Sequence, residues 1–188
     1  LAAVARQRQS ARYLEIGVQD RTQCFDHIPA GRKWGVDPNG GGATHLQTSD
    51  AFFASLPREE AFDLIFIDGD HHHEQVVRDI DNALRHLAPG GVLVMHDCLP
   101  ISRDYENPSL CYTAWRAFAK LRERLDIEAF CGDFDHGVGV ARRGSNTAPI
   151  RLQRSLGALT YDDFLAHRTE WFRPQSFDDL LRFAVGEP

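Results

Sequence analysis

The chain has 188 residues, of which 43% are hydrophobic and 26% charged, enough for one domain with a full core and ordinary for a globular protein. A formal charge of -6 argues against a nucleic-acid partner, because phosphate neutralisation needs a clustered basic surface and only Arg142, Arg143, Arg151 and Arg154 cluster, in a stretch that reads as solvated linker. The longest apolar runs are strand-sized, far below the roughly 20 residues a membrane-spanning helix needs, and four cysteines without CxxC spacing fit reduced thiols in a cytoplasmic protein.

The first residues carry neither a methionine nor the basic-then-apolar layout of a signal peptide, which fits a trimmed or processed chain. Residues 13–18 read as a strand running into a turn at Gly17, and 33–37 as a second strand that stops on Asp37, twenty residues later. In a nucleotide-binding α/β unit such a glycine lets backbone approach the ligand, and such an acid accepts hydrogen bonds from ribose hydroxyls. The pair points to an adenosine-containing ligand.

A weaker strand is expected at 45–48 and a strong one at 63–68. The helix over 72–87 repeats Val76, Val77, Ile80, Ala83 and Leu84 at helical spacing and ends before Pro89-Gly90-Gly91. A strand at 91–96, a loop at 98–110 and a helix at 112–125 follow. Segments 127–130 and 137–141 then read as an antiparallel hairpin. Near-continuous apolar strands alternating with helices predict a Rossmann-like, doubly wound α/β fold: a mostly parallel seven-stranded sheet closed by the hairpin, with a short helical tail. In that tail, residues 143–157 read as a solvated linker. Thr160 and Asp163, then Ser176 and Asp179, open short helices at 161–171 and 177–185 with a capping-box layout. The expected division is a domain at 1–142 and an extension at 143–188, docked on the domain or on a second subunit.

The stretch from Phe62 through Asp63-Leu64-Ile65-Phe66-Ile67-Asp68-Gly69-Asp70 to His71, followed by Pro89-Gly90-Gly91 and His96-Asp97, stands after Glu15-Ile16-Gly17 and Val36-Asp37-Pro38. In this order the chain resembles the class I S-adenosylmethionine-dependent methyltransferases, and among them a bacterial group of small O-methyltransferase-like domains, over roughly residues 11–142. One departure is plain: Gly17 is followed by Val18-Gln19-Asp20 where the family usually has further glycines. The resemblance implies that Glu15 and Gly17 line the methionine portion of S-adenosylmethionine, with Asp68 and Gly69 beside them. Asp37 would take the ribose diol, and Ser49 and Asp50 would reach the adenine; a helix N-cap is the ordinary alternative for that last pair.

Asp37, Asp68, Asp70, His71, His96 and Asp97 all fall at strand ends, where an open parallel sheet binds its ligands. Two chemical routes fit them. In the first, Asp68 and Asp97 match the metal positions of the metal-dependent O-methyltransferases, and Mg2+ held there would lower the pKa of an acceptor hydroxyl. Cys98 stands where many such enzymes have Asn, so His96 or Asp70 would have to complete the site. In the second route, His71 or His96 acts as general base with a pKa near neutrality, beside Asp68. Two carboxylates on adjacent strands also predict a cation, or a shared proton that raises the pKa of one of them.

Adjacent His71, His72 and His73 point about 100° apart on a helix and do not share one zinc ion; His72 and His73 are expected in a solvated first turn. Arg103 and Tyr105 of the 98–110 loop are placed to touch the acceptor. The expected activity is methyl transfer to a hydroxyl of a small molecule, a sugar or natural product. The alternatives are an NAD-dependent oxidoreductase, which the single-glycine turn disfavours, and a non-catalytic cofactor-binding protein of the same fold.

Overall fold

The computed structural model describes residues 1–187. One seven-stranded sheet runs through it in the order β2-β1-β3-β4-β6-β5-β7. Strands β1 (Arg12–Ile16), β2 (Arg32–Val36), β3 (Phe62–Ile67) and β4 (Leu87–Met95) are parallel, and β6 (Val138–Arg143) runs antiparallel to both β4 and β5 (Ile127–Gly132). Successive side chains of a strand face opposite ways, so each central strand feeds two apolar layers. Leu14, Ile16, Ile65, Ile67, Leu93 and Met95 pack under α2 (Ser49–Ser55), α3 (His73–Arg85) and α4 (Ala114–Leu121). Tyr13, Leu64, Phe66, Val92 and Val94 face α1 (Ala2–Gln7), α6 (Phe177–Val185) and the 18–28 loop. The near-continuous apolar strands are the consequence.

The sheet differs from expectation at both ends. Residues 45–48 form no strand; His45 makes a single bridge to Val36, because residues 38–42 are spent on a glycine turn. The seventh strand is β7 (Pro174–Gln175), two residues of the tail that pair parallel with β5. The helix expected over 112–125 is only α4, since Arg122 is fully buried and Leu125 is 71% exposed.

Residues 143–157 are not simply a solvated linker. Asn146 and Ile150 are buried, and the Arg122 guanidinium donates to the carbonyls of Trp171 (3.2 Å) and Ala148 (2.7 Å) and to Oδ1 of Asn146 (3.1 Å). Helix α5 (Tyr161–Phe172) opens with the full capping box between Thr160 and Asp163, and α6 with Ser176 accepting from the Asp179 amide. The tail aromatics insert into the core: Phe172 stacks on Phe118 at 5.5 Å and Trp115 meets Phe164 and Trp171. Among the described residues no helix is long and apolar enough to cross a membrane.

Candidate active site

Strand order reverses between β1 and β3, the place where open α/β sheets leave a crevice. There Gly17 turns at φ +87°, and a Cβ on it would lie 2.1 Å from the Asp68 carbonyl oxygen, so no side chain fits where the two strand ends meet. Gly69 packs on the other side of the same contact. Asp37, just past β2, is buried, with Oδ2 accepting from the Gln19 amide (3.0 Å) and Oδ1 from the Asn39 amide (2.7 Å). Each carboxylate oxygen keeps a further lone pair, which is what a diol requires.

The glycines absent from the first turn stand in the second. Gly40, Gly41 and Gly42 all have positive φ, and a Cβ at Gly41 would lie 1.9 Å from the Gln19 carbonyl oxygen. The amide of Arg21 donates to the Gly41 carbonyl at 2.9 Å. The loop after β1 is therefore braced by the loop after β2, and the run of three glycines is the signal that could have revealed it.

Glu15 shares the α1/α6 face of the sheet with Tyr13, whose hydroxyl donates to its Oε2 at 2.5 Å. Burial pushes the Glu15 carboxyl up to about 7, partly offset by that hydrogen bond. Ser49 and Asp50 lie in the first turn of α2, capped by Thr48 and not by Ser49. Both accept from Gln75 of α3, at 3.1 and 3.3 Å, and Asp50 also pairs with Arg78.

Asp68, His71, His96 and Asp97 converge. His71 Nε2 lies 3.6 Å from Asp68 Oδ1 and 3.2 Å from Asp97 Oδ2; His96 Nδ1 lies 3.5 and 3.4 Å from the same two oxygens. The arrangement alternates two acids with two imidazoles. Burial opposes charge on both acids, but hydrogen bonding to His71 and His96 holds Asp68 well below the usual carboxylate range, and hydrogen bonding to His96 lowers Asp97. Neither acid has the raised pKa that a shared proton would give; the imidazoles beside them lower both. Burial would lower His96, yet Asp68 and Asp97 outweigh it and carry its pKa up to about 11. Asp135 adds a third carboxylate 3.4 Å from Nε2 of His96. His96 is consequently a fixed cation at neutral pH and not the near-neutral base expected for it. His71 is raised too, first by its hydrogen bond to Asp68.

The loop after β4 is pinned to this cluster. The Leu110 carbonyl accepts Nδ1–H of His71, which leaves Nε2 facing the carboxylates. The Cys111 thiol donates to Asp97 Oδ1 at 3.1 Å, and the Thr113 hydroxyl meets both the amide and Nδ1 of His73. That last contact buries His73, contrary to the solvated first turn expected of it. Asp70 turns away into the turn before α3, accepting from the His72 amide at 2.8 Å and pairing with the His72 ring. Cys98 turns inward, its thiol 3.6 Å from the His96 carbonyl oxygen. Arg103 pairs with Asp162 of α5 at 2.7 Å instead of facing the site, and Tyr105 packs its ring 5.2 Å from that of His136.

A family model described as a methyltransferase domain matches residues 1–98. Among solved structures, the chain is similar to the SAH-bound methyltransferase PaMTH1 of Podospora anserina, at 18% identity and TM-score 0.58, covering 76% of each chain. A putative O-methyltransferase from Klebsiella pneumoniae matches at 22% identity and TM-score 0.58, over 77% of this chain and 78% of that one. The O-methyltransferase TomG of Streptomyces achromogenes, in complex with SAM, matches at 20% identity and TM-score 0.54, over 74% and 76%. At such identities the likeness speaks for the fold. No curated protein matches the sequence.

Proposed function

This chain belongs to the methyltransferase domain family, and from that membership we propose that it transfers the methyl group of S-adenosylmethionine to a hydroxyl of a small molecule at the Asp68, His71, His96 and Asp97 cluster. The observation that carries the reading is the double constraint on His71. Its Nδ1–H is held by a backbone carbonyl, and its Nε2 is aimed at two carboxylates, one beyond the end of β3 and one beyond the end of β4.

The cofactor's place follows from the crevice. Gly17 and Gly69 leave bare backbone for the methionine portion, Glu15 borders it, Asp37 offers both carboxylate oxygens to the ribose diol, and Ser49 and Asp50 stand at the adenine end. The SAM and SAH bound to neighbouring structures support that choice. S-adenosylmethionine, when bound, supplies a methyl group on a sulfonium, and transfer is an in-line displacement by the acceptor oxygen.

His71, once neutral, takes the acceptor's proton at Nε2. Asp68 and Asp97 orient that ring and stabilise the imidazolium formed. His96 keeps positive charge beside the oxygen as it loses its proton.

One observation favours a second reading of the same site. Single ligand atoms of Asp68, His71 and Asp97 lie within 4.8 Å of one another, a spacing that fits one divalent ion. A donor set of two carboxylates and an imidazole suits Mn2+ and its first-row neighbours as well as the Mg2+ expected from the resemblance. Such an ion, when bound, would lower the pKa of the acceptor hydroxyl. It would also require His71 to give up its Nε2 proton, so His71 serves either as base or as ligand.

Thermal unfolding in the presence of S-adenosylhomocysteine or NAD tests the reading. A ligand at 100 times its dissociation constant adds about 2.7 kcal/mol to stability. Stabilisation by S-adenosylhomocysteine alone is expected; stabilisation by NAD alone would favour the oxidoreductase alternative and contradict the proposal.

A further inference from the structure

A cleft of about 350 Å³ lies between α1 and α6, on the face of the sheet that also carries Glu15. Its floor is Phe66 of β3, Val94 of β4 and Val140 of β6; Val4 and Leu181 stand on its two helical walls. The volume is within the range of small-molecule sites. What distinguishes this cleft from an ordinary packing defect is its polar end, where His96 and Asp135 line it. Alternate residues of a strand share a face, so Phe66 and Val94 lead along β3 and β4 to Asp68 and His96. The apolar floor thus runs into the charged cluster without leaving the sheet surface. His96 borders both spaces, with Nδ1 toward Asp68 and Asp97 and Nε2 toward Asp135.

A sugar carries hydroxyls around its whole ring, and each one buried without a partner costs free energy. Over most of its length this cleft presents only apolar side chains, and its two polar side chains, His96 and Asp135, stand together at one end. We propose that the methyl acceptor is a compound with an apolar body and a hydroxyl at one end, a phenol or long-chain alcohol and not a sugar, seated between α1 and α6 with its hydroxyl at His96. The inference rests on the methyl-transfer reading and narrows its substrate class. It also gives α6, which lies outside the residues the family model matches, a direct part in choosing the acceptor.

The test uses the full chain loaded with S-adenosylhomocysteine, with 1-naphthol and methyl glucoside as probes, read by titration calorimetry. The variants are Leu181→Asp, which places charge on the half-buried wall, and Val94→Phe, which fills the floor. Naphthol is expected to bind the parent, to bind each variant at least tenfold more weakly, and to leave S-adenosylhomocysteine affinity unchanged; methyl glucoside is expected not to bind. Preference for the glucoside, or equal naphthol affinity in parent and variants, would overturn the proposal. A dimer dispersed by Leu181→Asp, with no naphthol bound to the parent, would overturn it in favour of a second copy as the occupant. Failure of S-adenosylhomocysteine itself to bind would count against methyl transfer, and naphthol titration of the unloaded chain would then still read the cleft on its own.

Discussion

The Cys111 thiol donates to Oδ1 of Asp97 at 3.1 Å, from a residue that is fully buried to one just past β4 in the left-handed region at φ +59°. A non-glycine residue held there costs on the order of 1–2 kcal/mol, so the conformation persists only because its surroundings impose it. Burial raises the Cys111 pKa and Asp97 raises it further, which keeps the thiol protonated and able to donate. Cys111→Ala should therefore lower kcat about tenfold with little change in the KM for S-adenosylmethionine, while Cys111→Ser, which keeps a donor, restores most of the loss. Equal defects in both variants would show that packing and not the hydrogen bond matters.

Asp37→Ala removes the acceptor of two backbone amides and the partner offered to the ribose. Losing a charge-assisted acceptor to two hydroxyls costs roughly 1.5–3 kcal/mol of binding. Calorimetry should show at least a tenfold weaker S-adenosylhomocysteine complex with an unchanged circular dichroism spectrum. Undiminished affinity would remove Asp37 from the ribose site.

Glu15 makes stability depend on pH. Its carboxyl is raised from 4.5 to about 7 in the fold, so between those values the folded state keeps a proton that the unfolded chain has released. Stability falls as pH rises through that window, and the penalty is complete above it. Glu15→Gln should raise stability at pH 8 by ~1–3 kcal/mol and flatten the melting temperature between pH 5 and 7, leaving the smaller slope of Asp79, whose carboxyl burial raises to about 6. A variant that melts at the parent's temperature at pH 8 would contradict the assignment. The same change should weaken cofactor binding, as expected where a buried acid is kept for use at the cost of stability.

Arg122 ties α4 to the tail through three acceptors. Arg122→Ala takes the guanidinium donor from the Trp171 and Ala148 carbonyls, at about 1–3 kcal/mol each before relaxation, while Asn146 Oδ1 keeps the Ala148 amide at 3.0 Å; the change should lower the melting temperature by more than 5 °C. Removing residues 144–188 should do at least as much, since it also uncovers Phe118 and Trp115. A small effect from either change would mean that the tail packs more loosely than its aromatic contacts show.

The sheet was legible in the sequence because its central strands are buried on both faces and so carry unbroken apolar runs. What was not legible lacked that signature. Strand β7 is two residues long, α1 is six, and the bridge at His45 depends on a glycine turn. Asp37, Asp68, His71, His96 and Asp97 could be named because each follows a strand, and strand ends share one edge. Their partners could not be read in the same way: Leu110 and Cys111 reach the cluster from 39 and 14 residues away in sequence, and Asp135 arrives on a hairpin tip. The electrical role of His96 escaped the sequence for the same reason: Asp68 and Asp97, which raise its pKa, and Asp135, 3.4 Å from its Nε2, stand on three different loops. Arg103 was misplaced because its partner, Asp162, belongs to the tail helix.

If this cluster transfers methyl from S-adenosylmethionine with His71 as base, label must pass from the cofactor to an acceptor oxygen. The most direct measurement follows tritium from the cofactor's methyl group into ether products across a pool of phenols and alcohols, for the parent, His71→Ala and Asp68→Asn, with and without EDTA. We expect transfer by the parent that rises with pH at values above the ordinary imidazole pKa, since the raised pKa of His71 delays the neutral form, together with loss of at least two orders of magnitude in both variants and no effect of EDTA. Transfer that survives in His71→Ala, or that EDTA abolishes and Mn2+ restores, would contradict His71 as base, and no transfer to any acceptor would contradict the activity itself.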